Sequence, residues 1–69
     1  MTIGERIAQE RNKLNLSQRE LADEIGIASG LLSRIENDNK APSISILYQL
    51  TEIFSITLSE LFEGVNIKN

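Results

Sequence analysis

Apolar residues recur every three or four positions along most of the chain, which is the spacing of one face of an α-helix. The strict alternation that predicts a β-strand is essentially absent. Five segments carry the helical pattern, and short polar or glycine-containing stretches separate them. The sequence therefore predicts an all-α fold: one compact domain of five helices.

Capping signals predict where these helices begin and end. Three segments open with a serine or threonine followed three residues later by a glutamate, the capping-box pattern: Thr2 with Glu5, Ser17 with Glu20, and Thr57 with Glu60. Ser43 is the expected cap of the fourth helix. Gly26 and Gly64 are expected to stop the second and fifth helices, because glycine adopts a left-handed conformation cheaply. The third helix is predicted over about Ser29–Asn37.

The apolar stripes predict the core. In the first helix the stripe is Ile3, Ile7, Arg11 and Leu14, and in the fourth it is Ile44, Leu47, Leu50, Thr51 and Phe54. Leu16 and Leu21 flank the second cap at positions that form a hydrophobic staple. The domain is expected to span residues 1–64, and residues 65–69 are expected to be a tail or a truncated linker.

The composition excludes several kinds of site. The chain has 69 residues with no cysteine and no histidine, so it lacks thiolate ligands and the commonest general base. With no nucleophile–base pair and no phosphate-binding glycine loop in view, we expect no enzymatic activity, no metal and no cofactor. Glu20, Asp23 and Glu24 could suggest a metal, but a solvated helix face explains them better. No apolar run could span a bilayer, so we expect a soluble, cytoplasmic protein without a membrane partner.

The charge is acidic overall but unevenly distributed. The net charge is −3. Six of the seven basic residues lie in the first forty positions: Arg6, Arg11, Lys13, Arg19, Arg34 and Lys40. The segment 41–67 carries three glutamates and no basic residue. This placement of the basic residues offsets only slightly the acidic net charge, which by itself disfavours a nucleic-acid partner.

The segment from Gln18 to Asn37 predicts two short helices joined by a tight glycine turn. The small side chain of Ala22 lets the helices approach each other, and Ile27 fills the corner after Gly26. Leu32 and Ile35 anchor the second of the two helices to the core. Its other face then points outward, and the helix forms a rigid rod that can enter a major groove of DNA.

These residues resemble the phage lambda repressor and Cro-like (XRE-type) helix-turn-helix family. The likeness is carried by SQRELADEIGIASGLLSRIENDNKAPS followed by ILYQLTEIFSITLSELFEG, and it covers about residues 3–64. The resemblance implies a lambda repressor-like fold, a third helix that reads DNA, and a two-fold symmetric operator. Ala28 departs from the family, where a capping serine or threonine is usual. Asp38 stands where the family commonly has a glycine, so either it adopts a positive φ or the turn is wider, and its negative charge near a phosphate is expected to weaken binding.

The resemblance and the outward face together give the candidate DNA-binding residues. Arg34 is expected to contact guanine, against the alternative of a solvated arginine paired with a nearby acid. The full predicted set is Gln18, Ser29, Gly30, Ser33, Arg34, Asn37 and Lys40. Ser29 could cap the third helix instead, and Gly30 offers close approach rather than a contact. Phosphates are the expected partners of Gln18, Asn37 and Lys40.

Two further sets are structural. The resemblance implies an ion pair between Arg11 and Glu36, at least partly buried. A homodimer interface is expected in the C-terminal half, at Ile46, Ile53, Phe62 and Val65, with Ile67 adding apolar surface.

The predicted function is sequence-specific transcriptional regulation, more in keeping with a repressor than an activator. The expected partners are a double-stranded DNA operator and a second copy of the chain, with a fused effector domain or protein partner as further candidates. The competing function is a protein-binding module such as an antitoxin, which the acidic net charge favours.

Overall fold

The chain folds into five helices in the order that the sequence predicts. The computed structural model describes residues 1–66 and contains α1 (Ile3–Lys13), α2 (Gln18–Ile25), α3 (Ser29–Glu36), α4 (Ile44–Phe54) and α5 (Leu58–Leu61). No strand occurs within that range, which confirms the all-α prediction. None of these helices is long and apolar enough to cross a membrane.

Side-chain caps start four of the helices as predicted. Reciprocal capping boxes form at the starts of α1, α2 and α5, around Thr2, Ser17 and Thr57. The hydroxyl of Ser43 accepts from the backbone N–H of Ile46 and caps α4. The N-cap of α3 is Ala28, which makes no side-chain hydrogen bond. Tertiary contacts must therefore fix the start of α3.

The core lies where all five helices converge. Its fully buried large side chains come from every helix: Ile7, Leu21, Leu32, Ile35, Leu50 and Leu61. Gly4 of α1 lies so close to α3 that an added Cβ would be 2.5 Å from the carbonyl oxygen of Ile35. This approach brings α1 against the end of α3 and leaves the opposite face of α3 to solvent.

The predicted stripe of α4 is wrong at Ile44. Leu47, Leu50 and Phe54 are buried, but Ile44 is 60% exposed. Ile46 and Ile53 instead pack in part against the core. Since α4 is apolar on both flanks, the spacing of its residues does not specify which flank turns inward. Leu14 is also exposed, because α1 ends before it and Leu14 is only the C-cap.

Two predicted helix ends shift by a few residues. The structure ends α3 at Glu36, with Asn37 as the cap, and ends α5 at Leu61, ahead of Gly64. Gly64 does adopt a positive φ of 77°. Beyond it, the N–H of Asn66 donates to the carbonyl of Met1 at 2.8 Å. Residues 67–69 of the predicted tail, including Ile67, lie outside the described residues.

The burial of Glu10 on α1 was not expected from the sequence. Glu10 is 7% exposed, forms an ion pair with Arg6 at 3.2 Å and accepts a hydrogen bond from the ammonium of Lys13 at 2.9 Å. The guanidinium of Arg6 also donates to the carbonyls of Glu60 and Glu63 at the end of α5. Arg6 therefore joins α1 to the last helix.

Candidate nucleic-acid interface

A tight turn at Gly26 sets the angle between α2 and α3. Gly26 has a φ of 72°, and the next N–H, from Ile27, bonds back to Ala22 at 3.0 Å. Ala22 is fully buried, so α3 can approach α2 closely. Leu32 and Ile35 then hold the inner face of α3 in the core. The remaining face of α3 is exposed.

The exposed face of α3 carries the residues predicted to read DNA. Ser29, Gly30 and Arg34 are exposed, and Ser33 is partly exposed. Ser29 is the first residue of α3, and Ala28 is the N-cap. The structure therefore does not show Ser29 in the capping role that was its alternative. No atom outside the helix lies within 4 Å of the position of an added Cβ at Gly30. The surface there is flat, which suits close approach to a ligand.

The basic residues divide into two groups. Arg6, Arg11 and Lys13 form ion pairs with Glu10 or Glu36. In residues 1–66, no ion pair is found for Arg19, Arg34 or Lys40. These three cations lie on α2, α3 and the following loop, so the free positive charge accompanies the helix-turn-helix. The sequence prediction did not include Arg19, although its place next to Gln18 in the first turn of α2 is a usable signal.

Glu36 joins three helices at the inner edge of this surface. The guanidinium of Arg11 makes a two-pronged contact with its carboxylate, at 2.8 and 3.1 Å. Glu36 also accepts from the amide of Gln18 at 3.0 Å, and its side chain is only 5% exposed. Gln18, predicted as a phosphate contact, is thus held by Glu36 and remains partly exposed.

The loop after α3 is held against the start of α1. Asp38 has a φ of 62°, so the positive-φ alternative is the correct one. Its carboxylate accepts from the hydroxyl of Thr2 at 2.6 Å and from the N–H of Gly4 at 3.1 Å. The predicted phosphate contacts Asn37 and Lys40 flank it and are exposed.

Two capping glutamates have shifted acidities. The backbone N–H of Ser17 donates to Glu20 and, with a smaller contribution from the Ser17 hydroxyl, lowers the pKa of that carboxyl. The same arrangement with Thr57 lowers the pKa of Glu60. Both hydrogen bonds favour the ionised form. Within residues 1–66, no cluster of three or more acidic residues could hold a metal ion.

The predicted dimer residues lie on the side of the molecule formed by α4, α5 and the chain end. Ile46, Ile53 and Phe62 pack in part against the core, and Val65 is also partly buried. Ile53 and Ile25 line an open pit of about 180 Å³ between α2 and α4. The most exposed large apolar residues of α4 are Ile44 and Tyr48, on the other flank.

Residues 4–67 match the sequence model of a family described as the helix-turn-helix domain. The regulator PuuR of Escherichia coli K12 is 37% identical over 59 residues, which are 86% of this chain and 32% of PuuR. The phage CTXphi transcriptional repressor RstR of Vibrio cholerae is 33% identical over 61 residues, 88% of this chain and 54% of RstR. The chain therefore spans about a third to a half of these relatives.

Solved structures show the same fold in proteins bound to DNA. The master regulator for biofilm formation SinR, solved in complex with DNA, superposes with a TM-score of 0.81 at 34% identity, covering 88% of this chain and 98% of that one. The P22 c2 repressor bound to a synthetic operator superposes with a TM-score of 0.84 at 26% identity, covering 93% and 97%.

Proposed function

Because the chain belongs to the lambda repressor-like helix-turn-helix family, whose members are regulators and not enzymes, we propose that it is a sequence-specific DNA-binding transcriptional regulator. The observation that carries the proposal is the exposed face of α3. Its cation Arg34 has no ion-pair partner in the described chain, while the opposite face is fixed in the core. A rigid, exposed helix with a free arginine is the arrangement that major-groove reading requires.

Base reading is assigned to Arg34, Ser29 and Ser33. An arginine that binds the major-groove edge of guanine with two hydrogen bonds discriminates by about 1–3 kcal/mol against the wrong base. The serines can donate to or accept from base edges. Gly30 leaves room for the DNA to approach α3 closely, because no side chain stands between the helix and the groove.

Phosphate contacts are assigned to Gln18, Asn37 and Lys40, and we add Arg19 to them because it is exposed and has no ion-pair partner in residues 1–66. Arg19 and Gln18 lie in the first turn of α2, where exposed N–H groups and the helix dipole favour an anion. Only Arg19 and Lys40 bring positive charge to these contacts. We therefore expect affinity to fall with salt, but less steeply than for a strongly basic binder.

A homodimer on a palindromic operator completes the proposal. One α3 contacts only a few base pairs, which is too little to select a site in a genome. Two-fold pairing places two such helices about 34 Å apart, one turn of DNA. The proposed surface comprises the partly exposed Ile46, Ile53, Phe62 and Val65. Repression is the proposed outcome, and the relatives named as repressors support it.

Selection from a random duplex library, followed by mobility shifts across a range of salt, tests this function. We expect enrichment of a palindrome with half-sites about one helical turn apart, and binding that weakens as salt rises. Failure to select any sequence at low salt would contradict the proposal. That result would favour the partner-protein function, which the acidic net charge of −3 and the similarity to SinR in its complex with SinI support.

A further inference from the structure

A carboxylate stands where the proposed DNA surface should be basic. Asp38 lies in the loop between α3 and α4, next to Asn37 and two residues from Lys40. Removing such a charge should strengthen DNA binding if the carboxylate only repels phosphates. Its contacts indicate a different role.

The Asp38 carboxylate bonds to α1 rather than facing solvent alone. One oxygen accepts from the hydroxyl of Thr2 at 2.6 Å, and the other accepts from the N–H of Gly4 at 3.1 Å. Thr2 is the N-cap of α1 and Gly4 lies in its first turn, where N–H groups favour a negative charge. We call these two contacts the Asp38 clasp.

The clasp fixes a short loop at its midpoint. On the α3 side, the N–H of Asp38 donates to Ile35 at 3.1 Å and that of Asn39 donates to Arg34 at 2.8 Å. On the α1 side, the Asp38 carboxylate is the only group within residues 1–66 that connects residues 37–40 to the domain by side-chain hydrogen bonds. Asn37 and Lys40 are exposed on either side of this anchor. Their positions therefore depend on it.

The backbone at Asp38 adopts the left-handed conformation. A φ of 62° is unfavourable for most residues, although aspartate and asparagine tolerate it better than others. Glycine adopts it without strain. A glycine here would keep the turn available while removing both contacts to α1.

We propose that Asp38 is a positioning residue of the DNA interface, which holds Asn37 and Lys40 towards phosphates by tying their loop to α1. The inference rests on the DNA-binding function proposed above. It predicts that removing the clasp weakens DNA binding. Simple charge repulsion predicts the opposite, that removing the carboxylate strengthens it.

Asp38→Gly and Asp38→Asn separate the two effects. Asp38→Gly removes the clasp and the charge but keeps the favourable backbone. Asp38→Asn removes the charge, tolerates the same φ, and can still bond to Thr2 and Gly4. Ordering one freed side chain on binding costs enough to weaken affinity about 3- to 10-fold. We expect that loss in Asp38→Gly, and in Asp38→Asn an affinity equal to or tighter than wild type.

The test is a mobility-shift titration of the full chain and its variants on the selected duplex. Lys40→Ala is added in the wild-type and Asp38→Gly backgrounds. We expect Lys40→Ala to weaken the wild type and to have a smaller effect in Asp38→Gly, where Lys40 is already released. Thermal unfolding followed by circular dichroism verifies that each variant is folded at the assay temperature.

The outcomes are distinct. Binding by Asp38→Gly as tight as that by Asp38→Asn, which lacks the same charge, would show that the clasp contributes nothing to binding. Equal effects of Lys40→Ala in both backgrounds would show that the clasp does not position Lys40. Either result overturns the inference while the wild type still binds. Absence of binding by the wild type would overturn the DNA-binding function, and this inference with it.

Discussion

At the scale of the residue, two glycines in similar helical settings have opposite roles. Gly4 lies against the backbone of α3, where an added Cβ would be 2.5 Å from one carbonyl oxygen and 2.6 Å from the next. Backbone atoms in the core cannot move aside easily. We expect Gly4→Ala to lower the free energy of unfolding by about 1–3 kcal/mol, as overpacking does. Urea denaturation measures it, and wild-type stability would show that α1 and α3 are further apart.

Gly30 is also a helical glycine, but in contrast to Gly4 an added methyl group there would meet open space. Alanine is the better helix former, so Gly30→Ala should raise the free energy of unfolding by up to about 1 kcal/mol. On the proposed interface the same methyl group would stand between α3 and the DNA. We expect the variant to be more stable and to bind its operator more weakly. If it gains stability and binds as tightly as wild type, Gly30 does not lie at the contact.

Substitution of Glu36 measures the contribution of the ion pair between Arg11 of α1 and Glu36 of α3. Glu36→Gln keeps the shape and can still accept from Gln18, but it leaves the guanidinium of Arg11 without its counter-charge. That guanidinium keeps a bond to the carbonyl of Leu16 at 2.7 Å and is 14% exposed. The loss should therefore be below the ~3–5 kcal/mol of a fully buried pair.

Chemical denaturation of Glu36→Gln measures this loss, with Glu52→Gln as an exposed control expected to change stability by less than about 0.5 kcal/mol. Equal stabilities of the two variants would show that the pair contributes nothing.

Residue-level predictions from the sequence succeeded where one signal dominated. A glycine between two apolar stripes predicted the Gly26 turn, whereas at Asp38 the sequence left a positive φ and a wider turn as alternatives, and the structure shows the positive φ. Predictions failed on α4, because this helix carries apolar residues on two opposite flanks. The spacing of its residues gave no reason to expect Ile46 rather than Ile44 to be partly buried. Helical spacing offers Glu10 two cations of α1, Arg6 four residues before it and Lys13 three residues after it, but spacing alone does not reveal that Glu10 is buried.

At the scale of the element, the caps determine the helix starts and could be predicted almost completely. A capping box is a local interaction between residues three apart, so the sequence contains all of it. The ends of α3 and α5 were less accurate: α3 ends one residue before the predicted Asn37, and α5 ends at Leu61, ahead of Gly64.

The capping boxes of α2 and α5 predict an acid-dependent loss of stability. Hydrogen bonds from Ser17 and Thr57 hold the pKa values of Glu20 and Glu60 below the ordinary glutamate value. The unfolded chain therefore binds these protons more readily than the folded one. Their stabilising effect is complete above about pH 4.3, the usual glutamate pKa, and is lost as the pH falls through the lowered values.

Urea unfolding between about pH 6 and pH 3 measures this for the wild type and for the double variant Glu20→Gln, Glu60→Gln. Glutamine keeps the capping geometry but does not titrate, so the double variant should lose less stability on acidification. An equal loss in both proteins would show that the two boxes do not contribute to acid sensitivity.

At the scale of the whole molecule, the distribution of charge agrees better with DNA binding than the net charge does. The net charge is −3, yet the basic side chains without ion pairs in residues 1–66, those of Arg19, Arg34 and Lys40, all lie on α2, α3 and the next loop. Sequence order alone showed only that most of the basic residues lie in the first forty positions. It did not show that Arg6 and Arg11 are paired and Arg34 is not.

Dimer formation is tested by sedimentation of the free protein and of its operator complex. We expect two copies per palindromic site, and we expect Ile53→Asp to weaken that pairing by placing a charge in the proposed interface. Tyr48→Ser changes an exposed residue on the opposite flank of α4 and should leave pairing intact.

Thermal unfolding checks that Ile53→Asp remains folded, because Ile53 also packs partly against the core. One copy per palindrome in the wild type would contradict the dimer. Undisturbed pairing in a folded Ile53→Asp would contradict the proposed surface.

The most direct test of DNA reading by α3 is a map of base preference over the whole operator, measured by titrating every single-base variant with the wild type and with Arg34→Ala. We expect Arg34→Ala to lose about 1–3 kcal/mol of discrimination at one position in each half-site, the two positions being related by the two-fold axis. Preferences elsewhere should be unchanged. Unaltered preference at every position, or uniform weakening without any change in preference, would contradict base reading by this helix.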